Sequence, residues 1–391
     1  MGRRMHRWMA VWMMLIILLP AVSLGAGVPA AETRSPLDQK VIRILKGFKT
    51  VGASLTVAKD GKIIYDYQYG LSSRGQKTWV TENTYFRVAS VTKMVSAIRI
   101  MQLVEQGKLD LDADLKEYFH VPFRNPNFPK TKITLRHLMT HTATIKADSF
   151  KRGIAAELGK MNHTYGDFYA REPGKYYRYS NLGAGLMGCL MEIATGKNVQ
   201  ENMEEGVFKP LGIDAGYHGR FLDRPEDMAT TYNFSDDSLT APRVYLDRPW
   251  DDEINPDRHF NLTFGSLWIT SRDLCRIGMM LENKGELDGV RILSPQSVEQ
   301  MMSSQVGRGG VQIDSPYGLC VNRMTNLVKG RLVYGHQGMF DSVVANLYFE
   351  PNSGLVFALA INGCNSGLQD RIQAVSRRLF GAVWDEYAGE K

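Results

Sequence analysis

Apolar and polar residues alternate in two stretches near the ends of the chain, and each stretch predicts a β-hairpin. The first, at 53–70, has two β-rich runs on either side of KDGK, whose Asp-Gly pair favours a tight turn. The second, at 342–363, turns at EPNSG. We expect the two sheet-like ends of the chain to pair with each other in one sheet.

Between the hairpins, the spacing of apolar residues is typical of helices. The helix predicted at 91–107 ends at Gly107, and a second helix at about 182–195 is followed by Gly196, as is common at helix C-termini. The segment SRDLCRIGMMLENKG predicts a third helix, capped by Ser271 and with Asp273 in its first turn.

These elements predict an α/β (α+β) fold, in which an antiparallel sheet is flanked by helices and carries an inserted helical lobe. The expected α/β lobe covers about 45–95 and 265–391, the helical lobe covers about 96–264, and a cleft lies between them. Two regions lack clear periodicity, 120–132 and the long polar stretch at about 220–262. A long loop inside a compact domain often serves as a lid or a binding loop.

The N-terminus has the order of a secretory signal. Three arginines within the first seven residues precede an apolar run at 8–24, and small residues follow at Ala30 and Ala31. The alternative is a membrane anchor, but Pro20 interrupts the run, which is short for a full span. We therefore expect 1–30 to be a signal peptide and 31–391 to be secreted or extracytoplasmic. An uncleaved leader would instead tether the protein to a membrane.

Charge and cysteine content narrow the range of partners. The formal charge is +6, and three of the positive charges lie in the leader, so the mature chain is too weakly basic to indicate a nucleic-acid partner. Such a charge is compatible with association with a membrane or cell-wall surface. The four cysteines do not have the spacing of a disulfide scaffold or a zinc site; they are Cys189, Cys275, Cys320 and Cys364.

Ser90 and Lys93 lie three residues apart at the start of the 91–107 helix and would share one of its faces. A lysine whose pKa is lowered by burial could take the serine proton and make the hydroxyl a nucleophile. Two other segments could complete such a site. Tyr179 and Asn181 lie in a polar turn before a helix, and a tyrosine near a lysine could act as a phenolate base or a proton relay.

The second segment is VYGHQGMF, which has the pattern of a strand. Its Gly338 would let backbone or substrate approach closely, and the N–H of Met339 would face the cleft as an oxyanion donor.

Three motifs in this order, SVTK (90–93), YSN (179–181) and HQG (336–338), resemble those of the serine β-lactamase and penicillin-binding-protein-like hydrolases, specifically the class C-related branch. Connecting segments such as TLRHLMTHTATI and EPGKYYRYSNLGAGLMGCLMEIATGK are similar too, and the resemblance covers about 45–380. It implies a β-lactamase/transpeptidase-like fold and a two-step acyl transfer to water through an acyl-enzyme, with no metal or organic cofactor.

The resemblance also implies roles for the site residues. Ser90 would be the nucleophile, Lys93 would share its proton, and Tyr179 would act as base for acylation and help to activate water for deacylation. Asn181 would hold the amide or ester group of the substrate, and His336 would stand where many relatives have a lysine. The backbone N–H groups of Ser90 and Met339 would form the oxyanion hole.

The sequence departs from the family pattern at three places. Histidine at 336 weakens recognition of a carboxylate by a fixed cation, which favours an esterase or a D-amino-acid or D-alanyl hydrolase over a β-lactamase or D-Ala-D-Ala carboxypeptidase. Met339 replaces the glycine that usually follows the third motif, and its side chain could narrow the cleft. HTAT (141–144) replaces HTSG, a change that we expect to alter a loop and leave the chemistry intact. A non-catalytic wall-binding or ligand-binding protein of the same fold is the remaining alternative.

The histidines of HLMTH, His137 and His141, have a spacing that zinc can use. The glutamate that a zinc protease needs after the first histidine is Leu138 here, so we expect both histidines to be structural.

Overall fold

The computed structural model describes residues 35–146, 165–235, 238–243, 254, 259 and 261–389. Its centre is a seven-stranded antiparallel sheet with the strand order β11-β12-β13-β14-β1-β2-β3. These strands are β1 Gly52–Lys59, β2 Lys62–Ser73, β3 Thr78–Trp79, β11 Asn322–Met324, β12 Val333–Phe340, β13 Val343–Glu350 and β14 Leu355–Ile361.

Both predicted hairpins and their pairing are confirmed. Strands β1 and β2 form the first hairpin, β13 and β14 form the second, and β1 pairs with β14, with Leu55 opposite Leu359. The first and last parts of the chain therefore share one sheet, and the antiparallel sheet expected for the fold is present.

Short strands make up smaller sheets around this one. They are β4 Phe86–Arg87, β5 Ala215–Gly216, β6 Thr231–Ser235, β7 Ser238–Arg243, β8 Trp268–Ile269, β9 Glu286–Leu287, β10 Val290–Arg291, β15 Leu368–Gln369 and β16 Ile372–Gln373. Strand β8 pairs with both β4 and β5, so it joins the segment that precedes Ser90 to the middle of the chain.

The described α-helices lie mainly between the sheet strands and at the two ends of the chain. They are α1 Pro36–Gly47, α2 Val91–Glu105, α3 Lys116–Phe119, α4 Leu135–Met139, α5 Asn181–Thr195, α6 Val199–Met203, α7 Lys209–Leu211, α8 Leu262–Gly265, α9 Ser271–Glu282, α10 Pro295–Met302 and α11 Ala374–Tyr387. The predicted glycine ends are confirmed: Gly107 follows the cap of α2, and Gly196 caps α5, both with positive φ.

Strand β14 shows how the sheet separates two cores. Successive side chains of a strand point to opposite faces. Accordingly, Phe357 and Leu359 pack with α1 and α11, whereas Val356 and Ala358 belong to the larger core that contains α2, α5 and α9. Both faces of β14 are thus buried, which explains its unbroken apolar sequence.

The predicted cap of α9 is wrong by one residue. The side chain of Thr270 accepts the N–H of Asp273, so Thr270 is the N-cap and Ser271 is the first helical residue. The Ser271 hydroxyl is buried and lies 2.6 Å from Ser54 Oγ and 2.7 Å from Thr56 Oγ1. It therefore ties α9 to β1 instead of capping its own helix.

The stretch at 220–262 is more regular than its sequence indicates. It contains the β6–β7 hairpin and a 3₁₀ turn at Pro225–Asp227. The rest of this stretch lies largely outside the described residues, as does the predicted signal peptide at 1–30. Within the described ranges, no helix is both long and apolar enough to cross a membrane.

Candidate active site

Ser90 lies at the junction of β4 and α2, where the chain turns sharply. Ala89 has a φ of 45°, a left-handed conformation that a residue with a side chain seldom adopts. Ser90 stands at the N-cap position of α2, but its side chain makes no capping hydrogen bond. The Ser90 hydroxyl is therefore not committed to its own helix and can serve another partner.

That partner is Lys93, whose side chain is completely buried. Lys93 Nζ lies 2.9 Å from Ser90 Oγ, 2.8 Å from Asn181 Oδ1 and 2.6 Å from the carbonyl oxygen of Phe264. The Asn181 side chain and the Phe264 carbonyl therefore hold the amine against the serine. A purely structural role, in which Ser90 caps the helix and Lys93 is exposed to solvent, does not fit this geometry.

Burial lowers the pKa of Lys93 from its usual value of 10.5 to about 7. Removing an ammonium ion from water disfavours its charged form. Near neutral pH, a large fraction of Lys93 is therefore the neutral amine, which can accept a proton.

The side chain of Tyr179 is hydrogen-bonded to Ser90. Its ring centroid lies 4.9 Å from Lys93 Nζ, and its side chain is buried. Burial raises the pKa of the Tyr179 hydroxyl above its usual value near 10. In the resting site, Tyr179 is therefore a phenol that can donate a proton and not a phenolate.

Asn181 is the first residue of α5, one position after the cap. Ser180 accepts the N–H of Gly183 and fixes the start of the helix. Asn181 Oδ1 accepts from Lys93 Nζ, and the residue lines the cavity described below. Asn181 thus contacts the lysine directly and is also open to a ligand.

Gly338, on strand β12, packs against the backbone of the serine loop. A Cβ atom placed on Gly338 would lie 2.2 Å from the Val88 carbonyl oxygen and 3.2 Å from the backbone nitrogen of Ser90. Only glycine allows this approach without displacing backbone. The strand that carries Met339 is therefore held next to the backbone of Ser90.

His336 is buried on the same strand. Its Nδ1 donates to the carbonyl of Gln337 at 2.7 Å, and its Nε2 lies 3.4 Å from the hydroxyl of Tyr317. Burial lowers the pKa of His336 to about 3, and the nearby charge of Lys93 lowers it further. His336 is therefore neutral, so it does not replace the cation that many relatives have at this position.

An open cavity of about 540 Å³ brings most of the predicted residues together. Ser90, Tyr179, Asn181, His336 and Met339 line it, whereas Lys93 and Gly338 are not among its lining residues. Sequence reasoning missed other lining residues, among them Tyr177, Tyr317, Arg323, Arg371 and Gln373. Of these, only Tyr177 could have been found from the sequence, because it lies two residues before Tyr179 in YYRYSN.

Arg371 places a positive charge at the exposed rim of the cavity. Its backbone has a φ of 67°, and its carbonyl accepts from Gln337 Nε2 at 2.6 Å. Within the described ranges, no carboxylate forms an ion pair with its guanidinium, and the neighbouring Asp370 pairs with Arg377 instead. The cavity thus offers a cation that no carboxylate of the described residues pairs with, and that the sequence did not reveal.

No group of three or more potential metal ligands occurs among the residues that the structure describes. His137 Nδ1 accepts the N–H of Thr134, and His141 Nδ1 accepts the N–H of Ser180. The two histidines thus have separate structural partners. The four cysteines are buried and form no disulfides.

Comparisons with known proteins agree with this geometry. The Beta-lactamase family matches residues 37–381. Esterase EstB from Burkholderia gladioli is 30% identical over 225 residues, which cover 52% of this chain and 56% of the esterase. The chain thus spans little more than half the length of that relative.

Two solved structures share the fold. The octameric penicillin-binding protein homologue from Pyrococcus abyssi has a TM-score of 0.70 and 20% identity, covering 88% of this chain and 75% of its own. The D-amino acid amidase from Ochrobactrum anthropi SV3, complexed with D-phenylalanine, has a TM-score of 0.67 and 22% identity, covering 90% of this chain and 100% of its own. The family match spans most of the chain, and the chain therefore belongs to the Beta-lactamase family of serine hydrolases.

Proposed function

We propose that this protein hydrolyses a small acyl ester, a D-amino-acid amide or a cell-wall D-alanyl group through an acyl-enzyme on Ser90. The observation that carries the proposal is the completely buried Lys93, whose Nζ lies 2.9 Å from Ser90 Oγ. A lysine held in this way has one evident use, which is to accept the proton of the serine.

In the proposed acylation step, the neutral amine of Lys93 takes the proton of Ser90 as Oγ attacks the carbonyl carbon of the substrate. Tyr179 is a phenol in the resting site, so we assign to it the delivery of a proton to the leaving group. The Lys93 ammonium then supplies the proton that Tyr179 has lost. Water reverses these transfers in deacylation and regenerates the free serine.

The negative charge on the substrate oxygen needs nearby hydrogen-bond donors. The close packing of Gly338 against the Ser90 backbone supports the proposal that the N–H groups of Ser90 and Met339 form the oxyanion hole. Loss of one such donor typically costs about 3 kcal/mol of transition-state stabilisation.

One observation favours an ester or amide over a β-lactam as the substrate. His336 is neutral and buried, so the third motif supplies no cation for a carboxylate. The esterase reported above, with 30% identity over about half of the chain, is compatible with this preference.

Arg371 supports a second candidate function. Its guanidinium at the cavity rim, which has no ion-pair partner among the described residues, could bind the carboxylate of a penicillin or of a D-alanyl-D-alanine peptide. The protein would then act as a β-lactamase or a D-Ala-D-Ala carboxypeptidase. The third alternative, a binding protein without catalysis, leaves the buried Lys93 without a use.

We also propose that the chain acts outside the cytoplasm, where such substrates occur in cell walls. The basic, apolar and small-residue order of 1–30 supports export, and nucleic acid is not an expected partner. Sequencing the N-terminus of the protein isolated from its host tests this. A start near Ala31 would support cleavage, and an intact leader would support a membrane tether.

A substrate panel tests the catalytic proposal. Purified protein and Ser90→Ala are given p-nitrophenyl acyl esters, D- and L-amino-acid amides, a D-alanyl-D-alanine peptide and a penicillin. We expect turnover of an ester or a D-amino-acid amide, and its loss in Ser90→Ala. Preferred turnover of the peptide or the penicillin would establish the second candidate. No turnover of any member by folded protein would favour the binding protein.

A further inference from the structure

His141 lies directly against Tyr179, although the sequence offered no catalytic reason for a histidine there. The two ring centroids are 4.4 Å apart, with the planes tilted by 37°. His141 is itself almost fully buried and has a φ of 56°, so its backbone is in the left-handed region. A buried side chain with such a backbone has to be held by specific contacts.

Those contacts bracket Tyr179 in the sequence. The carbonyl oxygen of His141 accepts the N–H of Arg178 at 2.8 Å, and its Nδ1 accepts the N–H of Ser180 at 3.2 Å. One residue thus holds the backbone immediately before and immediately after Tyr179. The ring of His141 then packs on the Tyr179 ring between these two anchors.

From this arrangement we infer that His141 is the positioning residue for Tyr179, and that it works as the neutral tautomer with its proton on Nε2. This inference rests on the proposed function, because Tyr179 needs positioning only if it relays a proton at Ser90. Among the described residues, His141 is not part of the cavity lining; its ring packs most closely on Tyr179, so it acts on the reaction through that residue and not on the substrate directly.

The tautomer of His141 follows from the hydrogen-bond partners of its two ring nitrogens. A backbone N–H points at Nδ1, so that nitrogen must present its lone pair, and the proton of the neutral ring must be on Nε2. Nε2 is buried and has no hydrogen-bond partner among the described residues. The rings of Tyr317 and His141 form a T-shaped pair, with centroids 5.0 Å apart and an angle of 89° between their planes.

The surroundings also keep His141 uncharged. Burial lowers its pKa well below the usual value near 6.5, and the positive charge of protonated Lys93 acts in the same direction. Protonation at Nδ1 would, in addition, bring two donors together at Ser180. His141 therefore stays neutral and does not add a second positive charge beside Lys93.

Two substitutions separate the acceptor from the rest of the side chain. In His141→Asn, the side-chain oxygen can replace Nδ1 as acceptor, and asparagine tolerates a positive φ. In His141→Leu, a side chain of similar bulk lacks any acceptor. His137→Asn is the matched control, because His137 is also buried and its Nδ1 also accepts a backbone N–H, from Thr134, without contacting Tyr179.

We expect His141→Leu to lower kcat for the best ester of the panel by about 100-fold while KM changes by less than about 3-fold, as a misplaced catalytic group does. His141→Asn should recover at least about 10-fold of that loss, and His137→Asn should keep kcat within about 3-fold. Wild-type kcat in folded His141→Leu would overturn the inference. So would His141→Asn that is as slow as His141→Leu, or a loss that falls on KM alone.

A measurement on the unaltered protein tests the tautomer without a rate comparison between variants. Nitrogen-15 spectra of histidine-labelled protein, with the His141 signals identified from the His141→Asn spectrum, report the tautomer directly. We expect a neutral ring protonated at Nε2 from pH 6 to 8; an Nδ1-protonated ring or an imidazolium would overturn the inference. Labelling of Ser90 by a fluorophosphonate distinguishes failure of the inference about His141 from failure of the proposed function. An unreactive serine in the wild-type protein would refute catalysis, whatever the tautomer of His141.

Discussion

The pH dependence of acylation follows from the burial of Lys93. An ordinary lysine with a pKa of 10.5 would be neutral at pH 7 in about one molecule in 3,000. With the pKa lowered to about 7, about half of the molecules carry the neutral amine. Burial therefore raises the fraction of neutral Lys93 at pH 7 about a thousandfold. This increase is equivalent to a free energy of deprotonation that is lower by about 4 kcal/mol.

This shift predicts the shape of the pH profile. The amine fraction rises from about a tenth at pH 6 to about nine tenths at pH 8, so kcat/KM should rise about tenfold and then level off. The assay is ester hydrolysis from pH 5.5 to 9.5, with kcat/KM measured well below saturation. A rise of about a hundredfold between pH 6 and 8 that continues beyond pH 9 would show an unshifted lysine and refute the reasoning.

A control identifies the group that titrates. His336 has a pKa lowered to about 3, so it is neutral throughout this range. His336→Asn should therefore keep the midpoint near pH 7, even if its overall rate changes. A midpoint that disappears in His336→Asn would assign the profile to the histidine and not to Lys93.

Other changes should have separate effects. Gly338→Ala puts a Cβ 2.2 Å from the Val88 carbonyl oxygen, so we expect kcat/KM to fall by about 100-fold or more; near-normal turnover would contradict the close approach. Arg371→Gln should raise KM about 10-fold more for an ester with a carboxylate on its leaving group than for its neutral analogue. Equal effects on both esters would exclude carboxylate binding. Ser271→Ala should lower the free energy of unfolding by about 1–3 kcal/mol in urea denaturation, and an unchanged free energy would contradict the contact between α9 and β1.

The elements that sequence reasoning predicted correctly depend on local patterns. Alternating residues around an Asp-Gly turn define a hairpin wherever it lies, and the end of α5 needs only Gly196. The cap of α9 was misassigned because Thr270 and Ser271 are both good caps by composition. Their roles differ because Ser271 meets Ser54 and Thr56 on β1, and a local pattern does not contain that contact.

The candidate site divides in the same way. The three motifs identified the residues around Ser90 because each motif has its own spacing and order. Tyr317 and Arg371 reach the cavity only through the packing of loops next to distant strands, so nothing in their neighbouring residues marks them. The sequence predicts only a structural role for His141. The structure adds the packing of its ring on Tyr179, which the sequence does not show.

The central claim is that Lys93 makes Ser90 a working nucleophile, and intact-mass analysis of fluorophosphonate labelling tests it most directly. The probe reacts with activated serines and needs no knowledge of the true substrate. We predict one adduct on the wild-type protein, none on Ser90→Ala, and labelling slowed by at least about 100-fold in Lys93→Met. An unlabelled but folded wild-type protein, or one adduct that persists in Ser90→Ala, would contradict the claim.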